Sequence, residues 1–155
     1  MPTDWVLSMV LTIQTLSDNN GYCEILRVST GVKDRANLED RIILFVINNQ
    51  KKELQTFSAR HNKPTGDVAI KRVSEGQTYQ IDATRTYEGS SADPNKWRYI
   101  LKANGTVLRN QVDVNLLQHN DVKVFTSWTR YGPCDVKIKY ISFKEFTAGI
   151  YLYLI

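Results

Sequence analysis

The chain has 155 residues, 42% hydrophobic and 23% charged, which suits one soluble globular domain and excludes a disordered segment, a collagen, a coiled coil or a disulfide scaffold. A chain of this size buries about two-thirds of the surface its unfolded form exposes, so folding requires neither a metal nor a disulfide. With 20 Lys and Arg against 16 Asp and Glu, the formal charge is +4, mildly basic and weak for counterion-driven nucleic-acid binding.

Helical periodicity is nearly absent, and period-2 alternation recurs along the chain. Trp5, Leu7, Met9, Leu11 and Ile13 share one face, with Ser8, Thr12 and Gln14 on the other. Asp18-Asn19-Asn20-Gly21 marks a turn into a strand over 23–30, where Leu26 and Val28 alternate with Arg27 and Ser29. After a polar loop over 31–40, residues 41–47 (RIILFVI) are apolar on both faces, which predicts a central strand covered on both sides. Asn48-Asn49-Gln50-Lys51-Lys52 turns the chain into a polar strand over 53–59. A Pro/Gly loop at 61–66 precedes Val68, Ile70 and Val73, and Glu75-Gly76 precedes a strand with Tyr79, Ile81 and Ala83 on one face. The longest polar loop spans 87–96, after which Trp97, Tyr99, Leu101 and Ala103 alternate with Arg98, Ile100 and Lys102. Asn104-Gly105 is the strongest hairpin signal, because a type I′ turn needs positive φ at both central residues. Strands over 106–114, 121–127 and 135–146 complete the count.

Ten or more short strands with turns at regular spacing predict an all-β, antiparallel two-sheet β-sandwich or barrel. Residues 1–148 form a single domain in this reading. The apolar tail 149–155 (GIYLYLI) is a last strand of the sheet or an edge strand given to a neighbouring copy, which would make a homo-oligomer. Six apolar residues cannot span a bilayer. Cys23 and Cys134 lie in no CxxC or Cys/His cluster. Two readings stay open for them: a disulfide in an oxidising compartment, or two buried thiols acting as small hydrophobes. Met1-Pro2-Thr3-Asp4 has neither the basic n-region nor the apolar run of a signal peptide, so the compartment stays open.

Four segments resemble a known architecture. The opening W-V-L-S-M-V-L-T-I (Trp5 to Ile13), then E-I-L-R-V-S-T-G (Glu24 to Gly31), then D-R-I-I-L-F-V (Asp40 to Val46) feeding L-Q-T-F-S-A, resemble the early strands of laminin-G-like and concanavalin A-like lectin sandwiches. The end resembles that family most: W-R-Y-I-L-K (Trp97 to Lys102), the Asn-Gly turn, D-V-K-V-F-T-S (Asp121 to Ser127) and V-K-I-K-Y-I-S-F (Val136 to Phe143). The resemblance implies a jelly-roll sandwich whose terminal strand pairs with its first. It also implies an extracellular role in adhesion or ligand capture, and a glycan, steroid or protein ligand, in some members held through a rim calcium ion. Glycosidases of this architecture carry closely spaced acidic residues alternating on one strand; no such pair is found here, so that activity is not implied.

Searching for catalytic chemistry gives little. His61 and His119 are far from any G-x-S-x-G, the cysteines lack an activating signature, and no phosphate-binding glycine loop occurs. The expectation is therefore a protein that is not an enzyme. For calcium, Asp34 and Asp40, with Asn37 and Glu39 between them, offer hard oxygen ligands, against the reading of a solvated acidic loop offset by Lys33, Arg35 and Arg41. Sugar binding needs an aromatic platform and planar hydrogen-bonding groups at its edge. Trp128, Arg130 and Tyr131 offer both in one short loop, and Tyr87 and Asn95 sit in the longest loop. The competing reading has Trp128 and Tyr131 capping the core, and Trp97 is placed inside by its alternation. A stripe of Lys71, Arg72, Lys96, Arg98, Lys123, Arg130, Lys137, Lys139 and Lys144 would suit single-stranded nucleic acid, but alternating lysines are what any solvated sheet face shows. Asn104-Gly105-Thr106 is a glycosylation sequon at a hairpin tip.

The leading expectation is a non-enzymatic recognition domain that binds a glycan or an extracellular protein through rim loops. Self-assembly through 150–155 and a nucleic-acid-binding barrel are the alternatives.

Overall fold

The computed structural model describes residues 4–17, 21–29, 41–58, 69–89, 92, 96–113, 123–125, 132–147 and 150–151. Among these there are eleven strands and no helix. The strands form two antiparallel sheets, of six and five strands, and the chain divides into two compact units that follow them closely.

The first unit takes residues 1–12, 78–118 and 138–155. Its strands are β1 (Asp4–Ile13), β6 (Thr78–Tyr87), β7 (Trp97–Ala103), β8 (Thr106–Asp113), β10 (Val136–Thr147) and β11 (Ile150–Tyr151), in the order β11-β10-β1-β6-β7-β8. The long late strand lies beside the first, as the resemblance implied. Strand β1 alternates between buried and half-buried without a break, so Leu7, Met9, Leu11 and Ile13 are all fully buried. Each side chain so placed contributes about 1.5–3 kcal/mol. Ala83, Ile81, Leu101 and Ala103 extend the same apolar face across β6 and β7. The other face is held by side-chain hydrogen bonds: Ser8 Oγ donates to Asp82 Oδ1 at 2.8 Å, and Gln80 Nε2 to Asp82 Oδ2 at 3.0 Å. The β7–β8 turn has φ of +48° at Asn104 and +77° at Gly105, as a type I′ hairpin requires. The tail enters the sheet at β11, where Tyr151 is registered with Phe146 and Ile150 with Thr147, and it is the outermost strand.

The second unit takes residues 13–77 and 119–137. Its strands are β2 (Tyr22–Ser29), β3 (Arg41–Asn48), β4 (Glu53–Ser58), β5 (Ala69–Arg72) and β9 (Lys123–Phe125), in the order β5-β4-β3-β2-β9. On the central strand every residue from Ile43 to Asn49 is buried, which matches the sequence reading of RIILFVI. In the turn that follows, Asn48 Oδ1 accepts the Lys51 N–H at 3.1 Å, and Lys52 takes φ +52°. Strand β2 is irregular between Glu24 and Leu26 and again between Val28 and Ser29.

Candidate functional site: the polar face of the five-stranded sheet

Register sorts the five-stranded sheet into two unlike faces. Residues paired across antiparallel strands share a face, and alternate residues along one strand do so too. Leu26, Phe45 and Thr56 form one row, Val28 and Ile43 another, and Cys23, Ile47 and Leu54 a third. That face is almost wholly apolar. The opposite face carries Glu24 with Val46 and Gln55, Arg27 with Leu44 and Phe57, and Tyr22 with Asn48 and Glu53.

The bulge in β2 creates this set. Without an extra residue, Glu24 and Leu26 would share a face and Arg27 would point the other way. Because the extra residue lies between Glu24 and Leu26, Glu24 pairs with Val46 and Arg27 with Leu44, two residues apart on β3. A carboxylate and a guanidinium from one strand therefore lie on the same side.

The polar face is also buried. Glu24 is 1% exposed, Gln55 4% and Asn48 7%, beside Val46 and Leu44 at 1% and 2%. Gln55 Nε2 donates to Glu53 Oε2 at 3.1 Å. With strands about 4.8 Å apart, Glu24 and Gln55 are separated by two spacings, roughly 10 Å between backbones.

A short strip is stitched beside Glu24. Its N–H donates to Gly132 O at 3.1 Å, its carbonyl accepts the Cys134 N–H at 3.0 Å, and Pro133 forms a parallel bridge with it. Of the two readings for the cysteines, the structure has the bridge: Cys23 and Cys134 are bonded, with Cα atoms 4.9 Å apart. On the same side of β2, Phe125 of β9 pairs with Arg27. Thus residue 125 is paired with Arg27 and residue 132 is bonded to Glu24.

Trp128, Arg130 and Tyr131 fall between these two points and lie outside the described residues, as do Asn95 and the calcium candidates Asp34 and Asp40. Among the described residues no group of three His, Cys, Asp or Glu is placed to hold a metal. Tyr87 belongs to the six-stranded unit, where its ring meets Trp97 edge-on at 5.1 Å and its N–H donates to Asp4 Oδ1 at 2.6 Å. Trp97 is 1% exposed, inside as its alternation required. Asn104 is exposed at the hairpin tip, with its Oδ1 accepting the Gln80 N–H at 2.8 Å. Among the described residues no helix is long and apolar enough to cross a membrane.

Sequence reasoning did not find Glu24, Arg27, Gln55 and Asn48. One signal for them was present. A central strand buried on both faces requires that polar residues beside it, on 22–29 and 53–58, lie in a covered layer. The bulge that makes Glu24 and Arg27 neighbours has no such signal.

No protein-family model matches the sequence, and no curated protein matches it. Among solved structures, the alginate lyase AlgAT5 of polysaccharide lyase family 7 is similar, with a TM-score of 0.56 and 9% identity, over 94% of this chain and 60% of that one. The chain therefore spans less than two thirds of the lyase's length. Sheep galectin-11 aligns with a TM-score of 0.49 and 11% identity, over 90% of this chain and 89% of that one. The expectation of a protein that is not an enzyme is corrected by the first of these, an enzyme with this fold. The sequence lacks serine, cysteine, phosphate-loop and paired-carboxylate motifs, and a lyase does not have to use any of them. The resemblance read from the sequence holds at the level of fold: the chain is an all-β, antiparallel two-sheet sandwich of the jelly-roll, concanavalin A-like kind.

Proposed function

We propose that this chain binds an acidic polysaccharide across the polar face of its five-stranded sheet and cleaves it there by β-elimination. One observation carries the reading: Glu24, a carboxylate 1% exposed, shares a buried sheet face with Arg27 and Gln55. The alginate lyase of the same fold supports a polysaccharide as the substrate class.

Elimination next to a uronate carboxylate needs a base for the proton on the adjacent ring carbon and donors for the charge that moves onto the carboxyl oxygens. Glu24 is the base. The Arg27 guanidinium and the Gln55 amide are the donors, the first by charge and the second by direction. As the carbon–hydrogen bond breaks, its electron pair forms the ring double bond and the glycosidic carbon–oxygen bond opens. The leaving sugar oxygen takes a proton from Tyr22, which lies on the same face and is 38% exposed. Trp128, Arg130 and Tyr131 supply stacking and hydrogen bonds at the rim, with Tyr87, Asn95 and a calcium ion on Asp34 and Asp40 as further contacts to test. The Cys23–Cys134 bridge supports an oxidising, extracellular-type compartment.

The test uses alginate, polyglucuronate, pectate and a neutral glucan. Ultraviolet absorbance of the unsaturated sugar reads turnover, and retardation in polysaccharide-containing gels reads binding. The expected result is retardation and cleavage with an acidic polymer, no response to the glucan, and a Glu24→Gln variant that is retarded but does not cleave. Binding without turnover by the unaltered protein would overturn the elimination and leave a recognition domain. No retardation by any acidic polymer would overturn the whole reading. Repeating the gels with a chelator tests the calcium ion.

A further inference from the structure

At the β7–β8 tip of the six-stranded unit, an exposed side-chain amide is held in one orientation. Asn104 takes φ +48° in that turn. Ile81 pairs with Ala103 across β6 and β7, and Asn104 carries the ladder one residue further. Its own N–H donates to Gln80 O at 2.8 Å, and its Oδ1 accepts the Gln80 N–H at 2.8 Å. A backbone N–H only donates, so the atom facing it is the amide oxygen, which assigns the two ends of the Asn104 side chain. Nδ2 therefore lies on the arm of the amide that Gln80 does not hold.

The tip is open. Asn104, Gly105 and Thr106 are exposed, as are Gln80 and Lys102 beside them, and a Cβ added at Gly105 would meet nothing within 4 Å. Turn chemistry accounts for Asn104 and Gly105, both at positive φ, but asks of residue 106 only that it suit a strand. Thr106 completes the triplet Asn-x-Thr with a residue other than proline in the middle, the pattern read by N-linked glycosylation. No other asparagine in the chain stands two residues before a Ser or Thr. A second observation comes from the other unit: the Cys23–Cys134 bridge is of the kind formed in the oxidising secretory pathway, where this modification is made.

We infer that Asn104 is the acceptor of an N-linked glycan. The donor class is a lipid-linked oligosaccharide diphosphate. A bond forms between Nδ2 and the first carbon of the sugar, the bond from that carbon to the lipid diphosphate oxygen breaks, and Nδ2 gives up one proton as the diphosphate leaves. Nδ2 keeps its second hydrogen, and Oδ1 keeps the lone pairs that accept the Gln80 N–H. The modification and the turn thus use opposite arms of one amide, and the folded hairpin holds the glycan's attachment point in place without giving up a hydrogen bond.

Asn104 belongs to the six-stranded unit, whereas Glu24, Arg27 and Gln55 belong to the other, so glycosylation and polysaccharide cleavage are tested separately. The full chain is secreted behind a cleavable leader from eukaryotic cells that add N-glycans, and its intact mass is measured. Peptide-N-glycosidase in heavy-oxygen water then converts a glycosylated asparagine to a heavy-oxygen aspartate, which peptide mapping locates. The expected result is a glycan on Asn104 in the unaltered chain and in Thr106→Ser, and none in Thr106→Ala. The Gln80 amide should be equally protected from hydrogen exchange with and without the glycan, and the two forms should melt within about 2 °C of each other. An unmodified chain recovered from the secretory pathway, or a glycan retained in Thr106→Ala, would overturn the site. Loss of Gln80 protection in the glycosylated form would overturn the assignment of opposite amide arms to the turn and the sugar. Should Thr106→Ala not be secreted, Asn104→Asp takes its place, since it keeps an oxygen for the Gln80 N–H and tolerates the positive φ; a glycan on that variant at this tip would refute the site equally.

Discussion

Replacing Cys23 and Cys134 together by alanine opens a link between residues 111 apart in sequence. In the chain-entropy account, closing a loop of this size restricts the unfolded chain by about 4.8 kcal/mol at room temperature. A domain of ordinary stability has about 5–15 kcal/mol in total, so the loss would remove a third or more of it. For a chain of this length each kcal/mol moves the melting temperature by about 2–4 °C, which puts the expected fall at roughly 10–19 °C. Two backbone hydrogen bonds, Glu24 N–H to Gly132 O and Cys134 N–H to Glu24 O, survive the substitution. Each has a net value of about 1 kcal/mol, too little to hold the 132–134 strip firmly by itself. Urea unfolding followed by circular dichroism measures the change. The unaltered protein in a dithiol reductant should lose stability by the same amount as the alanine pair. A loss below about 1 kcal/mol would refute the reasoning, because it would mean that packing around Glu24, and not restriction of the unfolded chain, fixes the strip.

Three smaller changes probe other links. Gly105→Ala should cost about 1 kcal/mol through its positive φ alone, since a Cβ there meets nothing within 4 Å; thermal melting checks it. Phe45→Ala, at the centre of β3 and fully buried, should cost about 3–5 kcal/mol in urea unfolding. Glu88 is held below its ordinary value of 4.5, first by the hydrogen bond from Arg98, with burial opposing and the charges of Arg98 and Lys96 assisting. A depressed folded-state pKa gives stability that is complete above about pH 4.5 and lost as pH falls through the folded value. The original protein and Glu88→Gln should therefore differ slightly at neutral pH and converge on acidification. Melting curves across that range that stay parallel would show that the Arg98 pair contributes nothing.

The sequence made the sheets legible and left the site largely hidden, for a physical reason. Period-2 alternation is a local property, so β1 and β7 could be read residue by residue, and Asn104-Gly105 located its own turn through backbone sterics. Burial of 43–47 on both faces followed from the absence of any polar position in IILFVI, residues 42–47. Pairing is not local. Nothing between residues 18 and 40 indicates that Ile25 is the extra residue of a bulge, yet that single insertion brings Glu24 and Arg27 onto one face. Likewise, no spacing rule links 24 with 133 or 23 with 134, although a parallel bridge joins the first pair and a disulfide the second. A motif search cannot detect such a face, for the same reason. It looks for fixed spacings along the chain, while a constellation assembled across strands is spaced by register.

That distinction bears on why the polar face exists. At Glu24 and Gln55, an apolar side chain of similar size would contribute about 1.5–3 kcal/mol by burial, and a sheet already buried on its opposite face would accept it. Stability alone therefore selects against the residues present, whereas their neighbours Val46 and Leu44 obey it. Sites that break the folding rules in one small patch while the surroundings keep them are where function is expected. The bulge sharpens the point, because it weakens the β2–β3 ladder locally and its structural product is the co-facial pair Glu24 and Arg27. Restoring regular pairing by deleting Ile25 would turn Glu24 onto the apolar face or carry Arg27 there. A device that costs ladder hydrogen bonds and places a carboxylate beside a guanidinium in a buried layer has a ready explanation if that layer receives a polar ligand.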